Sequence, residues 1–318
     1  MCRSILVPLD GSATAEHALP TALALARRFE ATLKVVHVHT PVWGANAEGG
    51  IYDALVDREL REEMQAYLDS VIQRLSAATK VALSSALLDG LVAGAINRHA
   101  MQSGVDLIVM TTQGRGPVAR FWFGGVADRL VRQSTIPILF VRPQESEADF
   151  TQEPEFGRVL VPLDGSQLAE QILEPTAALA VATNAEVTLL RVVQQLTPDG
   201  HSPDSGRVSG LRPGLLTQLQ EMDRQEWQRA EEYLDQRAEQ LRQRSLNAHA
   251  RVVSHRRPAT AILDDASTHG VELIALATHG RGGLKRLLVG SVADKLLRGS
   301  TTAVLVYRPV GEFVSAEE

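Results

Sequence analysis

"DLIVMTTQGRGPVARFWFGGVADRLVRQSTIPILFVRP", residues 106–143, returns as "ELIALATHGRGGLKRLLVGSVADKLLRGSTTAVLVYRP", residues 272–309, with 18 of 38 aligned positions identical at an offset of 166. A shorter stretch, "ILVPLDGS" at 5–12, returns as "VLVPLDGS" at 159–166, at an offset of 154. Self-similarity at a fixed spacing marks a repeated architecture, so the chain reads as one domain written twice. The offset grows by 12 between the two stretches, and Tyr67-Leu68 already matches Tyr233-Leu234 at 166. The second copy therefore carries an insertion upstream of Tyr233. It falls in "QQLTPDGHSPDSGRVSGLRPG" (194–214), a Pro/Gly/Ser-rich loop that answers to "HTPVWGANAEGG" (39–50) in the first copy. "QESEADFTQEPEFG" (144–157) is acidic and lacks periodicity, which places a first domain at 1–146, a linker at 147–157 and a second domain at 158–318.

Within each copy, short apolar runs alternate with longer periodic segments. "SILVPLD", "LKVVHVH", "KVALSSALL", "VDLIVMTT" and "IPILFVR" read as strands in the first copy, with helices starting near Ser12 or Thr14 and spanning 53–77 and 92–103. The second copy gives "RVLVPLD", "EVTLLRVV", "AHARVVSH", "VELIALAT" and "TAVLVYR". Near-continuous Val/Ile/Leu strands between helices indicate a parallel sheet covered on both faces, so the fold class is α/β, two tandem doubly wound five-stranded parallel-sheet domains. In such sheets ligands bind beyond the carboxyl ends of the strands, where the strand order reverses. "PLDGS" follows the first strand and the glycine segment follows the fourth, so the two line one cleft in each copy.

The chain's 318 residues suit two domains, and its 44% hydrophobic and 22% charged composition is that of a globular protein. A net charge of -6 gives no electrostatic drive toward nucleic acid or membrane, and neither is expected as a partner. The single cysteine, Cys2, excludes an internal disulfide framework and fits a reducing cytoplasm. "MCRSILVPLD" does not read as a signal peptide, and no apolar run approaches the ~20 residues of a membrane span.

The glycine segment carries the chemistry. Gly280 ends the fourth strand, and Gly290-Ser291 opens a helix whose first N–H groups and positive dipole end suit an anion such as phosphate. Arg281, Lys285 and Arg286 lie between them. In the plainer alternative Gly280 makes a turn and Ser291 caps a helix. "GRGPVA" and "GRGGLK" imitate a dinucleotide fingerprint, but that fingerprint follows the first strand of its unit and these follow the fourth. The pattern G-x4-G-K-[ST] of P-loop proteins is absent.

Taken together, "VPLDGS", "ATHGRGG" and "GSVADKLLRGSTTAVLV", present once per half in related form, resemble the universal stress protein family in its tandem form. The resemblance implies a Rossmann-like domain of the adenine nucleotide alpha hydrolase type that binds ATP or AMP, with or without Mg, through G-x2-G-x9-G-[ST]. In the second half Ala277 stands at the first glycine, Thr278 and His279 fill the x2, and Gly280, Gly290 and Ser291 complete the motif. In the first half Thr111 replaces the first glycine, Gln113 the histidine and Gly125 the Ser or Thr, leaving Gly114 and Gly124. The resemblance further implies that Pro162, Leu163 and Asp164 contact the adenosine end, that backbone near Val192 meets adenine, and that the loop around Ala277 and Gly280, with Gly290, Ser291 and Val292, holds ribose and phosphates. The matching first-half positions are Pro8, Leu9, Asp10, Val38, Thr111, Gly114, Gly124, Gly125 and Val126. Ala277 and Thr111 place Cβ atoms where backbone approaches ribose in nucleotide-binding members, which counts against binding.

The remaining features admit bland readings. Phe121, Trp122 and Phe123 read as interface packing, a filled pocket or a partner patch. His37 and His39 share one strand face, but no third ligand of matching spacing accompanies them, so no metal is expected. Ser12 and Ser166 read as helix caps rather than nucleophiles. Residues 219–244 form an amphipathic helix with apolar positions at Leu219, Met222, Trp227, Ala230, Leu234 and Leu241, its charged face solvated. The combined expectation is a cytoplasmic, adenine-nucleotide-binding stress-response or signalling protein with at most slow ATP hydrolysis. Its halves form an internal pseudo-dimer in which, as the resemblance implies, the last strands of the two halves pair; an unknown protein partner and a homodimer of the whole chain are further expectations. Rival readings are a nucleotide-free interaction protein and an ATP-using enzyme of a related fold.

Overall fold

The computed structural model describes residues 2–41, 54–112, 124–144, 146–152, 156–194, 213–278 and 289–309. The first half runs β1 (Ser4–Leu9), α1 (Ala13–Glu16), α2 (Ala18–Phe29), β2 (Thr32–His39), α3 (Ala54–Ala78), β3 (Leu83–Asp89), α4 (Val92–Gln102), β4 (Leu107–Thr111), α5 (Gly125–Gln133) and β5 (Ile138–Val141). The second repeats it: β6 (Arg158–Pro162), α6 (Gln167–Glu170), α7 (Leu173–Thr183), β7 (Glu186–Val193), α8 (Pro213–Arg242), β8 (Ala248–Ser254), α9 (Pro258–Thr268), β9 (Leu273–Ala277), α10 (Ser291–Gly299) and β10 (Ala303–Tyr307). All strands join one ten-stranded sheet in the order β3-β2-β1-β4-β5-β10-β9-β6-β7-β8. Within each half every pairing is parallel, and the order reverses between β1 and β4 and between β6 and β9.

The halves meet at β5 and β10, which pair antiparallel with Phe140 opposite Val304, Leu139 opposite Leu305 and Ile138 opposite Val306. All six side chains are buried. This is the expected pairing of last strands, and its physical reason is that each strand would otherwise present an open, apolar edge. One core cluster, beneath α2, α3, α7 and α8, runs through both halves; a second lies beneath α4, α5, α9 and α10 on the opposite face. Arginines that follow the two junction strands cross between halves: Arg142 Nη2 donates to the Leu297 carbonyl of α10 at 3.1 Å, and Arg308 Nη1 donates to the Gln133 carbonyl of α5 at 3.3 Å.

The connecting chain is tied to the first half. The ring of His17 lies 2.6 Å from the Ser146 carbonyl through Nε2, Phe150 sits under the Arg74 guanidinium at 5.7 Å, and Phe156 is buried in the shared core.

Three expectations are corrected. The helix expected from Ser12 or Thr14 is two helices, α1 and α2, joined at His17. The strand expected from Lys80 begins at Leu83. The helix expected at 219–244 spans Pro213–Arg242, so its start takes Pro213 and Gly214 out of the expected loop, in keeping with proline's ease at a first helical turn. Only from Ala230 onward does this helix bury residues, namely Ala230, Leu234, Ala238 and Leu241, while Met222 is exposed.

Because sheet and core run through both halves, they should unfold as a single cooperative unit. Leu139→Ala, a truncation of a fully buried side chain, should cost about 2–5 kcal/mol. In a chain carrying Trp43→Phe and Trp122→Phe, the same shift of the urea midpoint should be seen by Trp227 fluorescence in the second half and by circular dichroism of the whole; an unshifted Trp227 transition would mean that the halves unfold separately.

Candidate functional site

After β1 the chain must reverse at once. Gly11 turns it with φ of 81°, and Gly165 does the same after β6 with φ of 81°, a left-handed conformation that a side chain would oppose. Asp10 Oδ1 accepts hydrogen bonds from the Ser12 amide at 3.0 Å and the Ser12 hydroxyl at 2.6 Å. Asp164 Oδ1 repeats this with Ser166 at 2.9 and 2.6 Å. The serines cap α1 and α6, accepting from the amides of Ala15 and Ala169. "LDGS" is thus a complete strand-to-helix joint in which aspartate, glycine and serine each have a local structural role.

Beside that joint, β4 and β9 end, and the chain returns to open α5 and α10. The Gly124 amide donates to the Thr112 carbonyl at 3.2 Å, and the Gly290 amide donates to the Thr278 carbonyl at 2.8 Å. Gly124 and Gly290 are the N-cap residues, with extended ψ of 150° and 147°, and neither helix has a side-chain cap bond. Ser291 is therefore the first helical residue rather than the cap, and it is exposed, as is Gly125. The acidic first-turn residues are paired along their own helices, Asp128 with Arg132 at 2.8 Å and Asp294 with Arg298 at 2.9 Å, which offsets their charge near an anion.

The strand pairing brings two groups of expected residues to the two points where strand order reverses. Pro8, Leu9, Asp10, Val38, Thr111, Gly124, Gly125 and Val126 converge in the first half, and Pro162, Leu163, Asp164, Val192, Ala277, Thr278, Gly290, Ser291 and Val292 in the second. Leu9 and Leu163 are buried in the core, so only their backbone is available at the joint. Val38, Val126, Val192 and Val292 pack on the face of α5 and α10. Ala277 packs on the opposite face, with α6 and α7, and strand alternation sends Thr111 the same way. Their Cβ atoms thus point away from the helix N-termini and toward the side of the sheet that carries the strand-to-helix joints. Gly114, His279, Gly280, Arg281, Lys285, Arg286 and Phe121, Trp122 and Phe123 lie outside the described residues.

Gly290 has a reason to be small that needs no ligand. A Cβ there would stand 3.1 Å from the Thr278 backbone oxygen, whereas one on Gly124 would stand 3.6 Å from the Thr112 oxygen. A methyl at Gly290 would therefore stand tighter against backbone than one at Gly124. A Cβ on Gly125 meets nothing within 4 Å.

On the other face of the sheet the two halves differ. His39 is fully buried, with Nε2 2.7 Å from Asp57 Oδ1, and Arg61 bridges Asp57 and Asp89. His37 stands with its ring edge toward Tyr67 at 5.9 Å. The two histidines do share a face, as read, but His39 serves a buried His–Asp–Arg network and His37 packs on Tyr67; among the described residues no three His, Cys, Asp or Glu side chains group to hold a metal. In the second half Arg191 and Val193 replace them; Arg191 reaches Glu226 at 3.8 Å, and a cavity of about 220 Å³ lies among Val193, Gln194, Asp223, Arg224, Glu226 and Trp227. Tyr67 and Tyr233 bond Glu16 and Glu170 at 2.9 Å each; burial, reinforced by those carboxylates, holds both phenols protonated well above their ordinary range. None of these contacts was visible in the sequence, because each joins two elements that are separate along the chain.

The universal stress protein family profile matches residues 1–142 and again 155–308. A universal stress protein of Mycolicibacterium smegmatis is 25% identical over 96% of this chain and 97% of its own length. One of Thermus aquaticus is 36% identical over 45% of this chain and all of its own. A crystal structure of a universal stress protein from Archaeoglobus fulgidus superimposes with a TM-score of 0.66 at 19% identity, covering 96% of this chain and 98% of that one. The chain belongs to the universal stress protein family, with the family's domain present twice. Among the described residues no helix is long and apolar enough to cross a membrane.

The two N-cap glycines make a controlled comparison. Alanine in place of either loses the same preference for glycine at a cap, so the difference between the two variants isolates the added methyl. Gly290→Ala should lose roughly 1–3 kcal/mol more than Gly124→Ala in urea unfolding, as expected for overpacking against backbone. Equal losses would mean that α10 slides away from Thr278 without cost.

Proposed function

We propose that this member of the family is an adenine-nucleotide-binding protein that takes ATP or AMP in the second-half cleft and, more weakly, in the first. The observation that carries this reading is the N-terminus of α10: it has no side-chain cap, it opens at the point where strand order reverses, and it presents Ser291 exposed at its first position. There the first-turn amides and the dipole favour an anion, and the serine hydroxyl adds a donor. Asp164, held in place by its own turn, together with Pro162 and Val192, borders the same cleft on its nucleoside side. The residues fit the group: the donors suit phosphate and the valines offer apolar surface to a base.

The first half keeps the same backbone but has Gly125 at the serine position. It loses one hydroxyl donor to a charged group, worth roughly 1.5–3 kcal/mol, and should bind more weakly by that measure. A bound Mg ion would sit against the phosphates; no described cluster of carboxylates is assigned to it. We assign binding rather than turnover to the clefts. On this reading the ligand sets which conformations or partners the protein adopts during a stress response in the cytoplasm. The domains on this reading are 1–146 and 158–318, with the connecting chain 147–157 between them.

Ser291→Asp tests the assignment without disturbing the fold, since an acidic residue in a first helical turn favours the helix while repelling phosphate. Calorimetric titration of ATP and AMP should show saturable binding to the native chain and at least tenfold weaker binding to Ser291→Asp, a loss of about 1.4 kcal/mol or more. Binding unchanged by Ser291→Asp would place the nucleotide elsewhere. No binding to the native chain would favour the nucleotide-free interaction protein.

A further inference from the structure

Arg142 stands where the two halves meet. Its Nη1 donates to the Thr112 hydroxyl at 3.2 Å and its Nη2 donates to the Leu297 carbonyl at 3.1 Å. Thr112 is the residue whose own carbonyl receives the Gly124 amide at the start of α5, beside the first-half cleft. Leu297 lies in the last turn of α10, where carbonyls lack helical partners and a positive charge is favoured, and the first turn of that helix faces the second-half cleft. One side chain thus grips the residue that anchors the start of α5 beside one cleft and the far end of the helix that opens on the other. Arg308, the equivalent residue 166 positions later, makes the reciprocal contact to the Gln133 carbonyl at the end of α5.

We propose that Arg142 couples the two clefts, so that nucleotide bound at the N-terminus of α10 changes the stability of the first-half cradle through Arg142. The proposal rests on the nucleotide reading above. Its physical basis is the rigidity of both parts. α10 is nine residues long, about 13 Å at 1.5 Å per residue, and a short helix moves as a rod. A guanidinium is a planar fork, so a displacement taken up at Nη2 is delivered at Nη1. Lysine at position 142 would keep the charge near the helix end and lose the ability to hold two acceptors in fixed geometry.

The test is hydrogen exchange by mass spectrometry on the full chain, with and without ATP, alongside calorimetry. The first cleft is closed to ligand by Gly125→Asp, whose side chain enters open space. In that background ATP should slow exchange in the peptide covering α10 and also, by about fivefold, in the peptide covering α5, fivefold being the low end of usual coupling between sites. Adding Arg142→Lys, or separately the near-isosteric Thr112→Val, should abolish the α5 response and leave the α10 response in place. Protection of α10 with no change in α5 overturns the coupling, as does an α5 response that survives both added substitutions. No heat and no protection of α10 overturns the nucleotide reading itself and the coupling with it, a result separable from the others because α10 is its own control.

Discussion

Everything in this molecule hangs on the pairing of two edges. A five-stranded parallel sheet leaves its last strand with an open row of amide and carbonyl groups, and here that strand is apolar on both faces. β5 and β10 answer each other's need by pairing antiparallel across an approximate twofold, and six buried side chains seal the seam. The shared core beneath α2 and α7, the crossing arginines and the burial of Phe156 all presuppose that seam. The same pairing sets the positions of the two clefts, because each junction strand lies next to the strand whose end the glycine segment leaves.

Much of this was legible before any coordinates. The two offsets, 154 and 166, located both the duplication and the insertion, and unbroken Val/Ile/Leu runs gave strands that are buried on both faces. The boundaries that moved did so for local reasons: His17 interrupts the first helix, and Pro213 starts a helix as readily as it ends a loop. What composition and spacing did not carry were contacts made across the fold. Arg142 reaching Leu297, His39 meeting Asp57, and Arg191 standing where the first half has His37 all depend on which strand lies beneath which helix.

The site was legible as a location more than as a mechanism. Both motifs do fall at the points where strand order reverses, but three of their residues have roles the sequence concealed. Asp10 and Asp164 are builders of a turn, and Gly290 is small because a carbonyl oxygen stands against it. Motif residues that serve the fold and residues that serve a ligand look alike in a linear sequence, since a phosphate and a backbone carbonyl both demand the absence of a side chain. Ser291 and Gly125 differ from them: the backbone imposes no size limit at Gly125, so its identity there is free to follow function.

The joining of the halves by a tied connecting chain has an evolutionary as well as a physical consequence. In an assembly of two identical subunits, any substitution arrives twice, and a change useful to one site is forced on the other. Here the partner is delivered by the same polypeptide, anchored by His17 at Ser146 and by Phe156 in the core, so the seam forms at every dilution and needs no second molecule. Each copy is then released from symmetry. The difference is visible beneath α3 and α8, where one half has a buried histidine and aspartate and the other an arginine beside a cavity: two copies of one strand-and-helix pair, free to differ while sharing a single seam.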